Sequence, residues 1–294
     1  MKIKSKDLTM RIFLVLALLM FSSLQAKSLF SNDEQANNAK YIGALKDLLI
    51  ATQKTRGLTN SYMNGNKSAL LLIHSNKRDM KKAIGEMESL PLASHPTIGT
   101  KADSIFQSIT KLNHIAFDQK ASQTFKDYTG QINQILMLAQ SISKQGSKGL
   151  SDFGKDASTT MMEVILPLAE QIGKMRGMGS GIVAKKSITD VQKFAITAML
   201  SEIGSLESRL QSDMKKLLSN HKNLFDASVK KNMASLKKAV FAYTDLTNKK
   251  VLASAKSECV SSDYFNYGTD IITTLINIFN ANNKAIMKDS EGWI

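Results

Sequence analysis

The reading of the chain turns on Ile42-Gly43-Ala44-Leu45-Lys46-Asp47-Leu48-Leu49-Ile50-Ala51-Thr52-Gln53-Lys54-Thr55-Arg56-Gly57. Ile42, Leu45, Leu48, Leu49 and Thr52 recur at three- and four-residue spacing, which lays them along one face of an α-helix. The pattern continues along the chain and strand-like alternation is hard to find, so the predicted class is all-α. Ser31 with Glu34 has the form of a capping box and predicts the start of this first helix, which Gly65-Asn66 ends. Further helices are predicted at about 67–89, 98–118, 121–145, 151–184, 188–219, 223–254 and 262–288, eight in all. Breaks fall at Pro91 and Pro96, near Gly146 and Gly149, at Lys185–Ser187 and around Ser257–Ser262. Pro167, inside the fifth helix, predicts a kink or marks that helix's true first turn.

The chain also matches itself. Gln53-Lys54-Thr55-Arg56-Gly57 aligns with Gly173-Lys174-Met175-Arg176-Gly177 at an offset of 120, and Ile84-Gly85-Glu86-Met87-Glu88-Ser89 aligns with Ile203-Gly204-Ser205-Leu206-Glu207-Ser208 at 119. Phe125-x-x-x-Thr129-x-x-Ile132 aligns with Phe265-x-x-x-Thr269-x-x-Ile272 at 140. The three matches keep their order, as a duplicated four-helix unit requires. The predicted fold is therefore two pseudo-symmetric four-helix bundles.

Ahead of the repeat, Lys2, Lys4, Lys6 and Arg11 precede the apolar run Ile12–Phe21 and then Ser22-Ser23-Leu24-Gln25-Ala26. These are the three parts of a secretory signal peptide, with cleavage expected near Ala26 and an uncleaved anchor as the alternative. The predicted organisation is a signal peptide over 1–26, a first four-helix half over 27–147 and a second over 148–294, the two halves forming one domain. The expected location is periplasmic or secreted. Loss of the leader takes the net charge from +14 to +11. The single Cys259 excludes an internal disulfide, and 43% hydrophobic residues exclude a disordered chain.

Only five of the 39 basic residues are Arg, yet two of them, Arg56 and Arg176, stand before Gly at equivalent places in the repeat. Glycine inside a helix costs about 1 kcal/mol relative to Ala, so close helix packing or a ligand against the backbone should compensate. Asn60 and Ser180, four residues further on, fall on the same helix faces as the arginines. Two guanidinium forks with two small hydrogen-bonding side chains suit a small planar oxyanion, because each fork aims paired N–H donors at two oxygens. The competing reading pairs Arg56 with Glu86 or Glu88, and Arg176 with Glu170 or Glu207, to hold helices in register.

Other signals carry less. The pairs Lys81-Lys82, Lys185-Lys186, Lys230-Lys231, Lys237-Lys238 and Lys249-Lys250 read as solvated faces, with adhesion to an anionic surface as the alternative. His74, His95, His114 and His221 are scattered singly, and the chain has no Gly-rich phosphate loop, metal-ligand spacing or catalytic constellation. The expectation is a binding protein: not an enzyme, without cofactor or metal, and without a nucleic-acid partner.

Leu48–Leu58, with Thr52-Gln53-Lys54-Thr55-Arg56-Gly57 at its end, resembles the first helix of the nitrate- and nitrite-sensing (NIT) domain. Leu168-Ala169-Glu170-Gln171-Ile172-Gly173-Lys174-Met175-Arg176-Gly177 resembles the helix that opens that family's second half, and Asp263-Tyr264-Phe265-x-x-Gly268-Thr269-x-x-Ile272 resembles its closing helix. The resemblance covers about residues 35–288. It implies an all-α module of two four-helix bundles that binds nitrate or nitrite, with Arg56 and Arg176 at the positions implicated in binding. Thr55 stands where the family pattern has an acidic residue. Family members usually carry transmembrane helices and an output such as a kinase, a chemoreceptor signalling region or an RNA-binding antiterminator. Residues 27–294 are taken up by the sensor-like region, so the expected reader of the signal is a partner such as a membrane receptor or transporter, and a homodimer stays open. A helical interaction or scaffold protein that has lost its ligand is the alternative.

Overall fold

The computed structural model describes residues 4–253 and 259–291, with side chains described for Glu34–Ala253 and Cys259–Ser290. The helices are α1 (Lys4–Met63), α2 (Ala69–Glu88), α3 (Pro96–Ile115), α4 (Ala121–Gly146), α5 (Asp152–Thr160), α6 (Leu166–Lys185), α7 (Asp190–Asn220), α8 (Ser228–Thr247) and α9 (Ser261–Glu291). A π turn over Met161–Ile165 joins α5 to α6 as one rod, so the described residues form eight helices and no strand. The π turn lies just before Pro167, which occupies the first turn of α6. A proline lacks the N–H for an i−4 bond and its ring presses on the carbonyl four residues back, and the wider turn takes up both defects.

The other punctuation is equally local. Gly65 turns the chain out of α1 at φ +117, and Lys186 ends α6 in the left-handed conformation at φ 55. Thr189 and Gln192 form a reciprocal capping box at the start of α7, and the Ser151 hydroxyl caps α5 at the Gly154 N–H. One expectation fails: α1 does not begin at Ser31 but runs through it from Lys4. No Gly or Pro precedes Gly43, so nothing in the chain breaks the helix upstream of the box. Of the predicted signal peptide, residues 1–3 lie outside the described residues and 4–26 lie in α1; residues 254–258, part of the last predicted break, also lie outside. Among the described residues no helix is long and apolar enough to cross a membrane.

Packing follows the repeat. In the first half α1 packs on α2 and α4, and α3 on α4; in the second α6 packs on α7 and α9, and α8 on α9. The halves meet where α1 lies along α6. Gln53 sits beside Gly173, Gly57 beside Gly177, Asn60 and Asn64 beside Gly181, and Gly65 beside Ala184, so the two helices run parallel. One apolar core spans both halves, from Leu45, Leu48 and Leu49 of α1 through Ile172 and Met175 of α6 to Leu275 and Phe279 of α9. At about 1.5–3 kcal/mol for each fully buried large aliphatic side chain, this shared core binds the halves into one unit. It also buries whatever polar groups lie on the facing sides of α1 and α6.

Candidate functional site: two arginine cradles at a glycine crossing

The seam between α1 and α6 is closest at the two glycines. A Cβ on Gly177 would stand 3.0 Å from the Gly57 Cα, and one on Gly57 would stand 3.2 Å from the Gly177 Cα. Close approach therefore compensates the helix propensity that each glycine forgoes. The same missing side chains admit aromatic rings from the outer helices. A Cβ on Gly57 would meet Phe265 Cε2 of α9 at 2.8 Å, and one on Gly177 would meet Phe125 Cε2 of α4 at 3.0 Å.

Each ring forms the wall of an arginine cradle. The guanidinium carbon of Arg56 lies 4.9 Å from the Phe125 ring centre, and that of Arg176 lies 4.5 Å from the Phe265 ring centre. Arg56 Nη1 donates to Thr129 Oγ1 at 3.0 Å, and Arg176 Nη1 donates to Thr269 Oγ1 at 2.9 Å. Each threonine hydroxyl donates in turn to the carbonyl four residues back, Phe125 at 2.8 Å and Phe265 at 2.9 Å. Its proton is thus engaged and its lone pairs face the guanidinium. The Phe-x-x-x-Thr repeat in the sequence is this pair of cradles.

The two cradles are filled differently. Arg56 is fully buried and holds Glu170 of α6 through both oxygens, Nη1 to Oε1 at 2.6 Å and Nη2 to Oε2 at 3.2 Å. Gln53 Nε2 donates to Glu170 Oε2 at 2.7 Å, and Lys174 Nζ lies 3.9 Å from Oε1. Gly173 leaves room for this nest: a Cβ there would sit 3.0 Å from Gln53 Oε1 and 3.4 Å from Arg56 Nη2. Arg176 is 1% exposed and pairs with no carboxylate among the described residues. Its Nε and Nη2 have no hydrogen-bond partner there, and neither has the hydroxyl of Tyr243. Arg176 Cβ and Tyr243 Oη both lie within 3 Å of the point a Cβ on Gly268 would take, which places the tyrosine against the arginine.

Electrostatics follow from this arrangement. Burial pulls the Arg176 guanidinium down to about 10, with Arg56 acting in the same sense and Tyr243 and Glu170 opposing it. It remains a cation at neutral pH. Burial likewise pushes the phenols of Tyr243 and Tyr264 up, Tyr264 to about 12, so both stay neutral donors.

The four residues singled out from the sequence all lie at the crossing, in two roles. Arg56 and Arg176 form the cradles. Asn60 Nδ2 of α1 donates to the Gly177 carbonyl at 2.8 Å and so ties the seam one turn beyond the arginines, whereas Ser180 Oγ donates to the same carbonyl at 3.2 Å within α6. Of the carboxylate pairings considered, Arg56 takes Glu170 rather than Glu86 or Glu88. Thr55 turns toward α2, where its hydroxyl accepts from Asn76 at 2.6 Å. Thr129, Thr269, Phe125, Phe265, Gln53 and Tyr243 join the site without having been singled out for it, although the first four were visible as a repeat.

No family model matches the chain, and no curated protein is significantly similar to it in sequence. Among solved structures it is similar to that of the NasR transcription antiterminator, with a TM-score of 0.65 over 94% of this chain and 74% of that one, at 10% identity. This is an all-α chain, similar in fold over nearly its whole length to the NasR transcription antiterminator.

Proposed function

We propose that this chain is an extracytoplasmic sensor for a small planar monoanion, nitrate or nitrite, which binds at the α1–α6 crossing with Arg176 as its principal partner. The observation that carries the reading is the pair of equal cradles of which only one is neutralised. A buried guanidinium with two unpartnered nitrogens is costly to maintain in a fold, and a bound oxyanion removes that cost. Charge count supports a monoanion: Arg56 and Arg176 face one carboxylate, Glu170, so one further negative charge balances the buried groups.

The anion is flanked by Thr269 and Phe265 from α9 and Tyr243 from α8, so its binding ties α6 to both helices and alters their packing on α1. The NIT-like segments support nitrate or nitrite as ligand. The fold likeness to a transcription antiterminator is in keeping with a family whose outputs include RNA-binding antiterminators. In this chain a partner, a membrane receptor or transporter, reads the change, and the leader segment supports a periplasmic site of action. The role is binding, not catalysis.

The Arg56–Glu170 pair and the bond from Asn60 to the Gly177 carbonyl favour a second reading, a helical scaffold held together by these contacts. Thermal unfolding of the purified protein with millimolar nitrate, nitrite, chloride or sulfate separates the two. At about 100 times its dissociation constant a ligand adds roughly 2.7 kcal/mol of stability. A rise selective for nitrate or nitrite that Arg176→Ala abolishes supports the sensor; no anion-selective rise leaves the scaffold.

A further inference from the structure

We infer that the Arg56 cradle is a second anion site that the protein fills with its own Glu170 carboxylate, so that Glu170 limits the crossing to one free monoanion. The inference rests on reading the Arg176 cradle as an anion site. Its independent ground is the comparison of the two cradles, which share an arginine, a threonine hydroxyl already donating to a phenylalanine carbonyl, and a stacked ring. They differ in the residues added around them. At the offset of 120 the counterpart of Glu170 is Ile50, and the counterpart of Gln53 is Gly173. The two departures from the repeat meet in space at 2.7 Å, on the Arg56 side.

The carboxylate therefore shows what the cradle accepts. It is planar, carries one charge and presents two oxygens to Nη1 and Nη2, with a third donor from the Gln53 amide. Nitrate, nitrite and formate share that planar O–X–O edge and single charge. Chloride has no edge to match the fork, and sulfate brings a second charge and a tetrahedral shape. Glu170 is also tethered to α6, so its effective concentration at Arg56 exceeds that of a millimolar anion in solution. Solution anions are thereby directed to Arg176.

The test is isothermal titration calorimetry of the purified protein with nitrate, and with formate as competitor, on wild type and Glu170→Ala. Alanine removes the carboxylate and leaves its volume open to a free anion. The expected result is one nitrate per chain in wild type, competed by formate, and two in Glu170→Ala. If wild type binds one nitrate and Glu170→Ala still binds one, the inference is overturned while the sensor reading stands. If neither binds, both fall. If only Glu170→Ala binds, with one site, Glu170 is upheld as the occupant of the Arg56 cradle and the reading of Arg176 falls. Should Glu170→Ala fail to fold, the mirrored variants decide: Thr269→Val weakens nitrate binding several-fold, and by more than Thr129→Val does. Equal weakening by both would mean that the free anion uses the Arg56 cradle, and would overturn the inference.

Discussion

Arg56 and Arg176 occupy like positions on parallel helices, each over a phenylalanine ring and against a threonine hydroxyl, yet one is neutralised by the fold and the other is not. The first cradle is balanced in charge: the carboxylate takes both terminal nitrogens of the guanidinium and the Gln53 amide, although Arg56 Nε and Gln53 Oε1 stay without partners, and the set joins α1 to α6. The second has no counter-charge among the described residues and keeps two guanidinium nitrogens without partners in a site nearly closed to solvent. The repeat therefore presents two like frames, and Glu170 and Gln53, which have no counterparts at the Arg176 cradle, separate one with a counter-charge from one without. A buried cation without a counter-charge is a local departure from the consistency of the fold, and such departures mark candidate functional sites.

The comparison is most severely tested by removing the cations. Arg56→Met leaves Glu170 buried without its main partner and should lower stability by about 3–5 kcal/mol, as should Glu170→Leu, which strands Arg56. Arg176→Met removes an unpaired buried charge and should be near neutral or stabilising in anion-free buffer, measured by urea unfolding. Equal losses at Arg56 and Arg176 would break the asymmetry.

The glycines come next. Gly57→Ala and Gly177→Ala each force α1 and α6 apart at a backbone contact and should lower stability by about 1–3 kcal/mol, alike in both halves. Gly204→Ala, on the open face of α7 with nothing within 4 Å of a Cβ, should instead raise it by up to about 1 kcal/mol. A similar loss at Gly204 would mean that helix distortion, not close approach, governs the crossing.

The buried phenols give an effect confined to alkaline pH. Burial raises Tyr41 and Tyr264 to about 12, and Tyr128 and Tyr243 also upward. In the unfolded chain a tyrosine ionises near 10, so between about pH 10 and 12 the folded chain holds protons that the unfolded chain has lost. Stability should therefore fall as pH rises through that window, with no change from these groups at neutral pH. Urea midpoints across the window check it, and Tyr264→Phe should lessen the fall.

Much of this was legible in the chain. Helix positions followed from three- and four-residue spacing, and helix ends from Gly65, Pro91, Pro96 and Gly146, because both are local properties. Cradle chemistry was less so. Phe125-x-x-x-Thr129 and its partner were visible as a repeat but not as a site, since the ring and hydroxyl act on arginines 73 and 93 residues away, measured from the threonines. The competing reading offers Glu170 or Glu207 to Arg176, and Glu170 stands six residues before it in the chain. Six residues are about 600° of helix rotation, which sets the two side chains on different faces. Through space Glu170 belongs to Arg56, 114 residues distant. Asn60 and Ser180 share a face with their arginines, as their spacing implies, but both are engaged by the Gly177 carbonyl, whose position no spacing reveals.

By itself, then, the sequence determined the helical class, the order of eight helices and the two Arg-Gly pairs, because each depends on residues within a few turns of one another. The parallel pairing of α1 with α6, the choice of Glu170 by Arg56 and the unpaired state of Arg176 were decided only by tertiary structure. Those depend on which side chains the shared core presses together once water is excluded, and at that point a single carboxylate serves one arginine of two.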